Sequence, residues 1–400
     1  MSEPLLFLPH RMPFPPNKGD KIRSYHLLQY LSSRYTVHLG TFVDDKADWQ
    51  YADSVKKLCS ECRLVPMNPR TSRLRSLKGL LTGEALTLPY YRNATLQTWV
   101  NATIQGCGIK KIVAFSSSMA QYVEHQPHAR RIMDFVDVDS DKWTQYAQTK
   151  RWPLNQIYRR EGRLLLKYER HVAQSFDASF FVSAEESTLF KSMAPESKDR
   201  VHWFSNGVDA EYFSPHRTYP NPYPPDQQIL VFTGAMDYWP NIDAVIWFAR
   251  EIFPQILAKN PQIRFYIVGS NPTQPVLALA QLNGVQVTGR VADVRPYLAH
   301  AQLAVAPLRI ARGIQNKVLE ALAMARTVVA TPQAMEGLDA GLGTGCMMAS
   351  TPAEFVECIK PQVCTGPQAN PSGREWVLQH YDWTQNLFKM EWQLSPETMR

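Results

Sequence analysis

Short apolar runs recur along the chain, each followed by a stretch of mixed polarity. "PLLFLPH" (4–10), "TVHLGTFV" (36–43), "CRLVPM" (62–67) and "KKIVAFSS" (110–117) come first, then "RRIMDFVDVD" (130–139), "ASFFVSAEE" (178–186) and "VHWFSNGVD" (201–209). Their apolar positions are near-continuous rather than alternating, which suits strands buried on both faces of a parallel sheet. The intervening segments, such as "IRSYHLLQYLSSR" (22–34), can hold helices. This alternation predicts a doubly wound α/β domain.

"SPHRTYPNPYPPDQQ" (214–228) then interrupts the series, and its five prolines predict a linker. The alternation starts again with "ILVFTGA" (229–235), "RFYIVGS" (264–270), "VQVTG" (285–289), "QLAVAPL" (302–308) and "TVVATP" (327–332). Helical segments such as "NIDAVIWFAREIFPQIL" (241–257) lie between these runs. The chain therefore reads as two Rossmann-like, doubly wound domains, 1–213 and 229–385, with a tail at 386–400. Ligands of such sheets bind beyond the carboxyl ends of the strands. Two such domains facing across a cleft would frame a ligand site.

Composition narrows the class. Four hundred residues, 44% hydrophobic and 20% charged, describe a soluble globular chain with room for two cores. Lys and Arg exceed Asp and Glu by 43 to 36, a net charge of +7. That balance suits a phosphorylated ligand, an anionic membrane face or nucleic acid, or no special partner. No basic stripe interleaved with aromatics and no reading motif is present, which argues against nucleic acid. Of the six cysteines only Cys59 and Cys62 form a C-x-x-C, and nothing completes a zinc site. The expectation is free thiols in a reducing cytoplasm. "MSEPLLFLPHRMPFPP" breaks at Pro9 before a signal peptide could form, and no run approaches the roughly 20 apolar residues of a membrane span. A cytoplasmic protein is expected, free or peripheral at the inner face of the cell membrane.

The strongest chemical signal is "RIARGIQNKVLEALA" (309–323), directly after the run "QLAVAPL". A helix is predicted to start near Gly313 or Ile314. Its unpaired first amides and positive dipole end can receive an anion. Gly313 lets backbone approach closely, and Arg309, Arg312 and Lys317 add charges suited to phosphate. Glu320 lies one turn from Asn316 and two from Gly313, on one face. A carboxylate there can accept two hydroxyls, as from a ribose; the alternative is local pairing with Lys317.

Three further stretches carry candidates. In "PPNKGDKIRS" (15–24), Gly19 permits a tight turn before a helix start, without the full G-x-G-x-x-G of a dinucleotide site; a plain polar loop with a helix cap is the alternative. In "DFVDVDSDKW" (134–143), Asp137, Asp139 and Asp141 alternate and would share one face of a strand. A metal loop would want glycine where Lys142 stands, so no metal is expected. "RTSRLRSLKGLL" (71–82) interleaves leucines with cations. It suits either an anionic membrane face or a solvated helix; with Tyr90, Tyr91 and Trp99 nearby, it raises a lipid-linked acceptor.

The second domain resembles the donor half of retaining GT-B glycosyltransferases, group 1 of glycosyltransferase family four. The resemblance rests on "FTGAMDYWPN", "FYIVGS", "VTGRVADVRPYLAHAQLAVAPL" and "NKVLEALAMARTVVATPQAMEGLD", in order over about 110 residues. "PPNKGDKIRSYHLLQYLS" and "FSNGVDAEYF" extend it into the first domain. "MDFVDVDSDKW" and "IARGIQNKVLEALAM" are similar to sugar transferases of exosortase-linked (PEP-CTERM-associated) exopolysaccharide systems.

The resemblance implies a nucleoside diphosphate sugar as co-substrate, no cofactor, and a glycan or lipid-linked acceptor. The family usually carries two glutamates eight positions apart around the donor. Glu320 matches the second, and Arg312 stands at the first. Backbone from Gly313 to Gln315 would then contact the sugar, with Asn316 beside it. The family's Arg and Lys after the first donor-domain strand are replaced here by Asp237, Tyr238 and Trp239. Arg290, with Arg309 or Lys317, would supply that charge on the pyrophosphate. The loop holding Gly19 would meet donor phosphate or acceptor, with Asp20, Lys21 and Arg23 as candidates. Asp137 and Asp139 align roughly with the family's catalytic histidine region. They would orient the acceptor hydroxyl or stabilise positive charge at the anomeric carbon, with Lys317 assisting departure of the diphosphate. The alternatives are a nucleotide-sugar binding protein without transferase activity and a sugar-nucleotide epimerase.

Overall fold

The computed structural model describes residues 2–16, 18–311, 314–338, 344–363 and 369–395. Its strands form two sheets. The first holds β1 (Pro4–Pro9), β2 (Thr36–Val43), β3 (Glu61–Pro66), β4 (Lys111–Phe115), β5 (Arg130–Val136), β6 (Ala178–Phe181) and β7 (Val201–Trp203) in the order β3-β2-β1-β4-β5-β6-β7. The second holds β8 (Gln228–Thr233), β9 (Ile263–Val268), β10 (Val285–Gly289), β11 (Leu303–Ala306), β12 (Val328–Ala330) and β13 (Cys346–Met348) in the order β10-β9-β8-β11-β12-β13. Every described strand pair is parallel.

The near-continuous apolar runs have the expected cause. Leu5, Leu6, Phe7 and Leu8 are all inaccessible, so β1 has no solvent face. Leu230, Val231 and Phe232 of β8 are inaccessible too, so the central strands of both sheets are covered on both faces, as parallel sheets require. Strand order reverses between β1 and β4 in the first sheet and between β8 and β11 in the second. Those are the points where such sheets open a crevice at their carboxyl edge.

The chain divides into one unit of Met1–Ser205 with Thr384–Arg400 and a second of Asn206–Trp383. Two features depart from the sequence expectation. The proline-rich stretch 214–228 falls inside the second unit, not between the units. Its prolines do exclude helix and strand up to β8, but its aromatics pack: buried Tyr223 donates to Tyr297 O at 2.7 Å, and Tyr219 donates to Ser214 O at 3.0 Å. The end of the chain is also not a loose tail through Ser395. The helix Trp383–Leu394 brings Glu391 to the Tyr35 hydroxyl at 2.5 Å, while Lys111 Nζ donates to Ser395 Oγ at 2.6 Å.

Candidate functional site

In the second unit the loops after β8 and β11 flank the point of strand reversal. After β8 the chain turns at Gly234, whose amide donates to Val268 O at 3.0 Å, and Met236 N donates to Ser270 O at 2.8 Å. The loop after β9 lies so close that a Cβ on Gly269 would fall 1.6 Å from Gly234 O. Only glycine fits there. The helix Trp239–Trp247 follows, carrying Asn241 and Asp243 in its first turns.

After β11 the helix begins at Asn316, later than Gly313 or Ile314; Gln315 is its extended N-cap, without a side-chain cap. The amides of Val318 and Leu319 close on Gln315 O at 2.9 and 3.4 Å. Those of Asn316 and Lys317 have no acceptor among the described residues, as expected of a first turn. Arg312 and Gly313 lie outside the described residues. Val318, Leu319, Ala321, Leu322 and Ala323 are buried, which leaves Asn316, Lys317 and Glu320 half-buried on the remaining face.

The chemistry of this face centres on Lys317. Its ammonium donates to Asn241 Oδ1 at 2.6 Å and sits 4.7 Å from the centroid of the Phe232 ring. The Asn241 amide is itself held, donating from Nδ2 to Ala235 O at 2.9 Å. Burial brings Lys317 down to about 8, with Glu320 pulling weakly the other way. Burial likewise pushes the Glu320 carboxyl up to about 7, against the charge of Lys317. No ion pair joins the two among the described residues, so local pairing with Lys317 does not account for Glu320. A half-desolvated ammonium held by a neutral amide gains from an incoming anion.

The other predicted donor residues are placed differently. Arg309 is already paired, donating to Asp243 at 2.5 and 3.0 Å, and would have to leave that carboxylate to meet a phosphate. Arg290 follows β10 past Gly289, whose φ is +70°; it is exposed and has no partner among the described residues. Asn316 Oδ1 accepts from Asn206 Nδ2 at 3.2 Å.

Sequence reasoning passed over Tyr212, Asp293 and Arg295. The Arg295 guanidinium pairs with Asp293 at 2.7 Å and lies 3.7 Å from the centroid of the Tyr212 ring. Burial raises the Tyr212 phenol, and the charges of Asp293 and Glu320 add to the shift. An aromatic ring therefore lies within electrostatic reach of Glu320. The stretch "VADVRPYL" carried the signal, an Asp two residues before an Arg.

The first unit corrects several expectations. Gly19 is the first residue of the helix Gly19–Ser32, without positive φ, and the space beside it is open, so no tight turn needs it. Lys21 is buried and paired with Asp48. Arg23 is fully buried: its Nε and Nη2 reach Asp134 at 2.8 and 3.2 Å, its Nη1 reaches Phe204 O at 3.0 Å, and it stacks on Phe204. Both cations hold the fold together and are not presented to an acceptor. Asp20 alone stays half-exposed, beside His10 at 3.3 Å and Arg11 at 3.1 Å. Burial pushes its carboxyl up, but the hydrogen bond from His10 and the charges of His10 and Arg11 outweigh it and hold Asp20 well below the usual range. His10 follows β1 and stacks on Phe115 at the end of β4, so this cluster marks the reversal point of the first sheet.

Asp137 and Asp139 do not share a strand face. β5 ends at Val136, whose φ is +71°, and Asp139 opens the helix Asp139–Thr149. Lys142 joins the two acids, at 2.6 Å from Asp137 and 3.3 Å from Asp139. Beneath them lies Glu169, fully buried and accepting from Ser140 Oγ at 2.5 Å. A separate groove of about 800 Å³ on the first unit is lined largely by amides, among them Asn93, Gln97, Asn101 and Gln121; it includes none of the residues predicted from sequence.

With this geometry in view, comparison with known proteins is informative. Residues 227–361 match the family described as "Glycosyl transferases group 1", a match confined to the second unit. No curated protein matches the chain. Among solved structures, the chain is similar to sucrose-phosphate synthase from Thermosynechococcus elongatus (TM-score 0.69, 15% identity, covering 99% of each chain). It is similar to a glycosyltransferase from Rickettsia africae (TM-score 0.66, 12% identity, 99% of this chain and 98% of that one). It also resembles HepE of Anabaena, solved in complex with UDP and glucose (TM-score 0.65, 16% identity, 98% and 100%). The fold is thus α/β with two parallel-sheet, Rossmann-like domains, matching GT-B glycosyltransferase structures.

Proposed function

We propose that the protein is a glycosyltransferase that moves a sugar from a nucleoside diphosphate sugar to a hydroxyl of a glycan or lipid-linked acceptor. The observation that carries this reading is the placement of Lys317 and Glu320, both half-buried, on one face of the helix Asn316–Ala323 that follows β11. Lys317 and the amides of Asn316 and Lys317 hold the diphosphate, Arg290 supplements them, and Glu320 takes the ribose hydroxyls. Charge grows on the departing diphosphate in the transition state, so Lys317 contributes most there. Diphosphate departure then needs no metal.

The match over residues 227–361 supports the donor half of the reading. The UDP and glucose complex of HepE makes UDP-glucose a sensible first donor to test. Transfer with retention, through attack on the face the diphosphate leaves, and a role in exopolysaccharide synthesis are part of the proposal. So is an anionic membrane as the place where a lipid-linked acceptor is met. Asp20, Asp137 and Asp139 are the acids proposed to meet the acceptor.

Release of nucleoside diphosphate from a panel of nucleotide sugars, with and without glycan acceptors, tests the reading. Acceptor-dependent release that is lost in Glu320→Ala is expected. Tight binding with no release under any acceptor would favour a nucleotide-sugar binding protein, and interconversion of the donor sugars an epimerase.

A further inference from the structure

The first unit exposes apolar side chains in an unusual concentration. Across the helices Pro69–Ser76 and Lys78–Thr82, Leu74, Leu77, Leu80 and Leu81 are 69%, 51%, 46% and 91% exposed. Scattered exposed leucines need no explanation, but four within eight residues form a patch. Arg70 and Arg73 stand exposed in the turns just before them and Lys78 among them, and no acid occurs from Met67 to Thr82. Arg75 is not part of this face, because its guanidinium turns inward to Arg92 O and Ser72 Oγ at 3.2 and 3.0 Å.

A second exposed stretch of the same character precedes the helix Leu154–Ser175. Residues Lys150 to Leu154 are all exposed, with Trp152 at 79% and Leu154 at 48%. The helix Leu154–Ser175 that follows is fastened to the leucine helices. Arg160 donates to Gly79 O at 2.6 Å and Glu84 O at 3.3 Å, and Glu161 accepts from Leu86 N and Thr87 N at 2.6 and 2.9 Å. Arg160 is six residues from Leu154, about 9 Å along the helix. The indole therefore sits at the end of the element that braces the leucines.

We infer that these two stretches form one docking face for an anionic lipid bilayer, with the leucines and Trp152 entering the interfacial layer and the cations meeting lipid phosphates. Three observations select lipid. Lys78 stands among the leucines, and Arg70 and Arg73 each lie one helical turn from the next of them, Leu74 and Leu77, whereas a protein interface gathers an apolar centre inside a polar rim. The charge is all of one sign and complements anionic headgroups. A tryptophan beside Lys and Arg suits the membrane–water boundary. Among the described residues no helix is long and apolar enough to cross a membrane, so the face would lie on the bilayer. The use made of this docking rests on the proposed lipid-linked acceptor; the docking itself does not depend on the donor site.

Co-sedimentation of the full chain with phosphatidylcholine vesicles, with and without about a third phosphatidylglycerol, tests it. Binding to the anionic vesicles that weakens with salt is expected. Arg73→Gln and Lys78→Gln should each weaken it about fivefold. Leu77→Ser with Leu81→Ser, and separately Trp152→Ala, should weaken it tenfold or more while leaving the melting temperature and UDP binding unchanged. Absence of vesicle binding, equal binding to both vesicle types, or unaltered binding by the leucine and Trp152 variants overturns the inference. So does association of the protein with itself through this face in place of lipid. Loss of UDP binding by Lys317→Ala speaks only to the donor site, so the two ideas fail separately.

Discussion

The ammonium of Lys317 donates to Oδ1 of Asn241 across 2.6 Å, joining the first turns of the two helices that follow β11 and β8, the strands flanking the reversal of the six-stranded sheet. The partner is a neutral amide, so the lysine keeps its charge available to a ligand. Replacing Lys317 with Ala removes a charge-assisted contact, and the affinity for UDP should fall by about 10- to 100-fold. Asn241→Asp should also weaken binding, because a carboxylate there competes with the diphosphate for the same ammonium. Calorimetric titration of UDP into each variant checks both.

The same pair sets a pH window. In the free protein Lys317 is charged below about 8, and Glu320 is ionised above about 7. If both charged forms are needed, kcat/KM follows a bell with limbs near those values. The limbs belong to the interacting pair and not to either residue alone. Glu320→Gln should flatten the acid limb, and Asn241→Asp should move the alkaline limb upward. A profile level from pH 6 to 9 would show that neither group matters.

Glu169 governs a different pH effect, on stability. Burial first, and the charge of Asp139 second, raise its carboxyl from 4.5 to about 8. The folded state therefore holds this proton more tightly than the unfolded chain. The contribution is full below about 4.5 and is lost as pH climbs through about 8, a change on the order of 5 kcal/mol. Glu169→Gln stays neutral and keeps an acceptor for Ser140. Urea unfolding at pH 5 and pH 8.5 should show a smaller pH difference in the variant than in the parent protein.

Arg23 tests the line between structure and function. Arg23→Ala leaves Asp134 buried without its guanidinium and should destabilise the first unit by about 3–5 kcal/mol. The second unit's affinity for UDP should not change below the unfolding temperature. A variant with normal stability and impaired acceptor use would restore Arg23 to the acceptor site.

Much of the fold could be read from the chain, because strands such as Leu5 to Leu8 are buried on both faces and write their burial as unbroken apolar runs. β13, only three residues long, left no such trace. The packed strap at 214–228 was hidden because prolines report what the backbone cannot do, while Tyr223 finds its partner, Tyr297, 74 positions away. The same limit applies at the sites. The helix face carrying Asn316, Lys317 and Glu320 follows from spacing alone. That Arg23 meets Asp134, 111 positions distant, and that Arg309 is held by Asp243 are facts of tertiary pairing, which a local pattern of cations cannot distinguish from readiness for phosphate. His10 carried no chemical motif and meets Phe115 through the strand order, while Tyr212, inside "FSNGVDAEYF", finds Arg295 83 positions away.

Crystals of the chain soaked with nucleoside diphosphates would test the donor site most directly. The account predicts electron density for the diphosphate within hydrogen-bonding distance of Lys317 Nζ and the amides of Asn316 and Lys317, with ribose hydroxyls on Glu320. A diphosphate bound elsewhere on the second unit, with Lys317 still on Asn241 and Glu320 untouched, would contradict it.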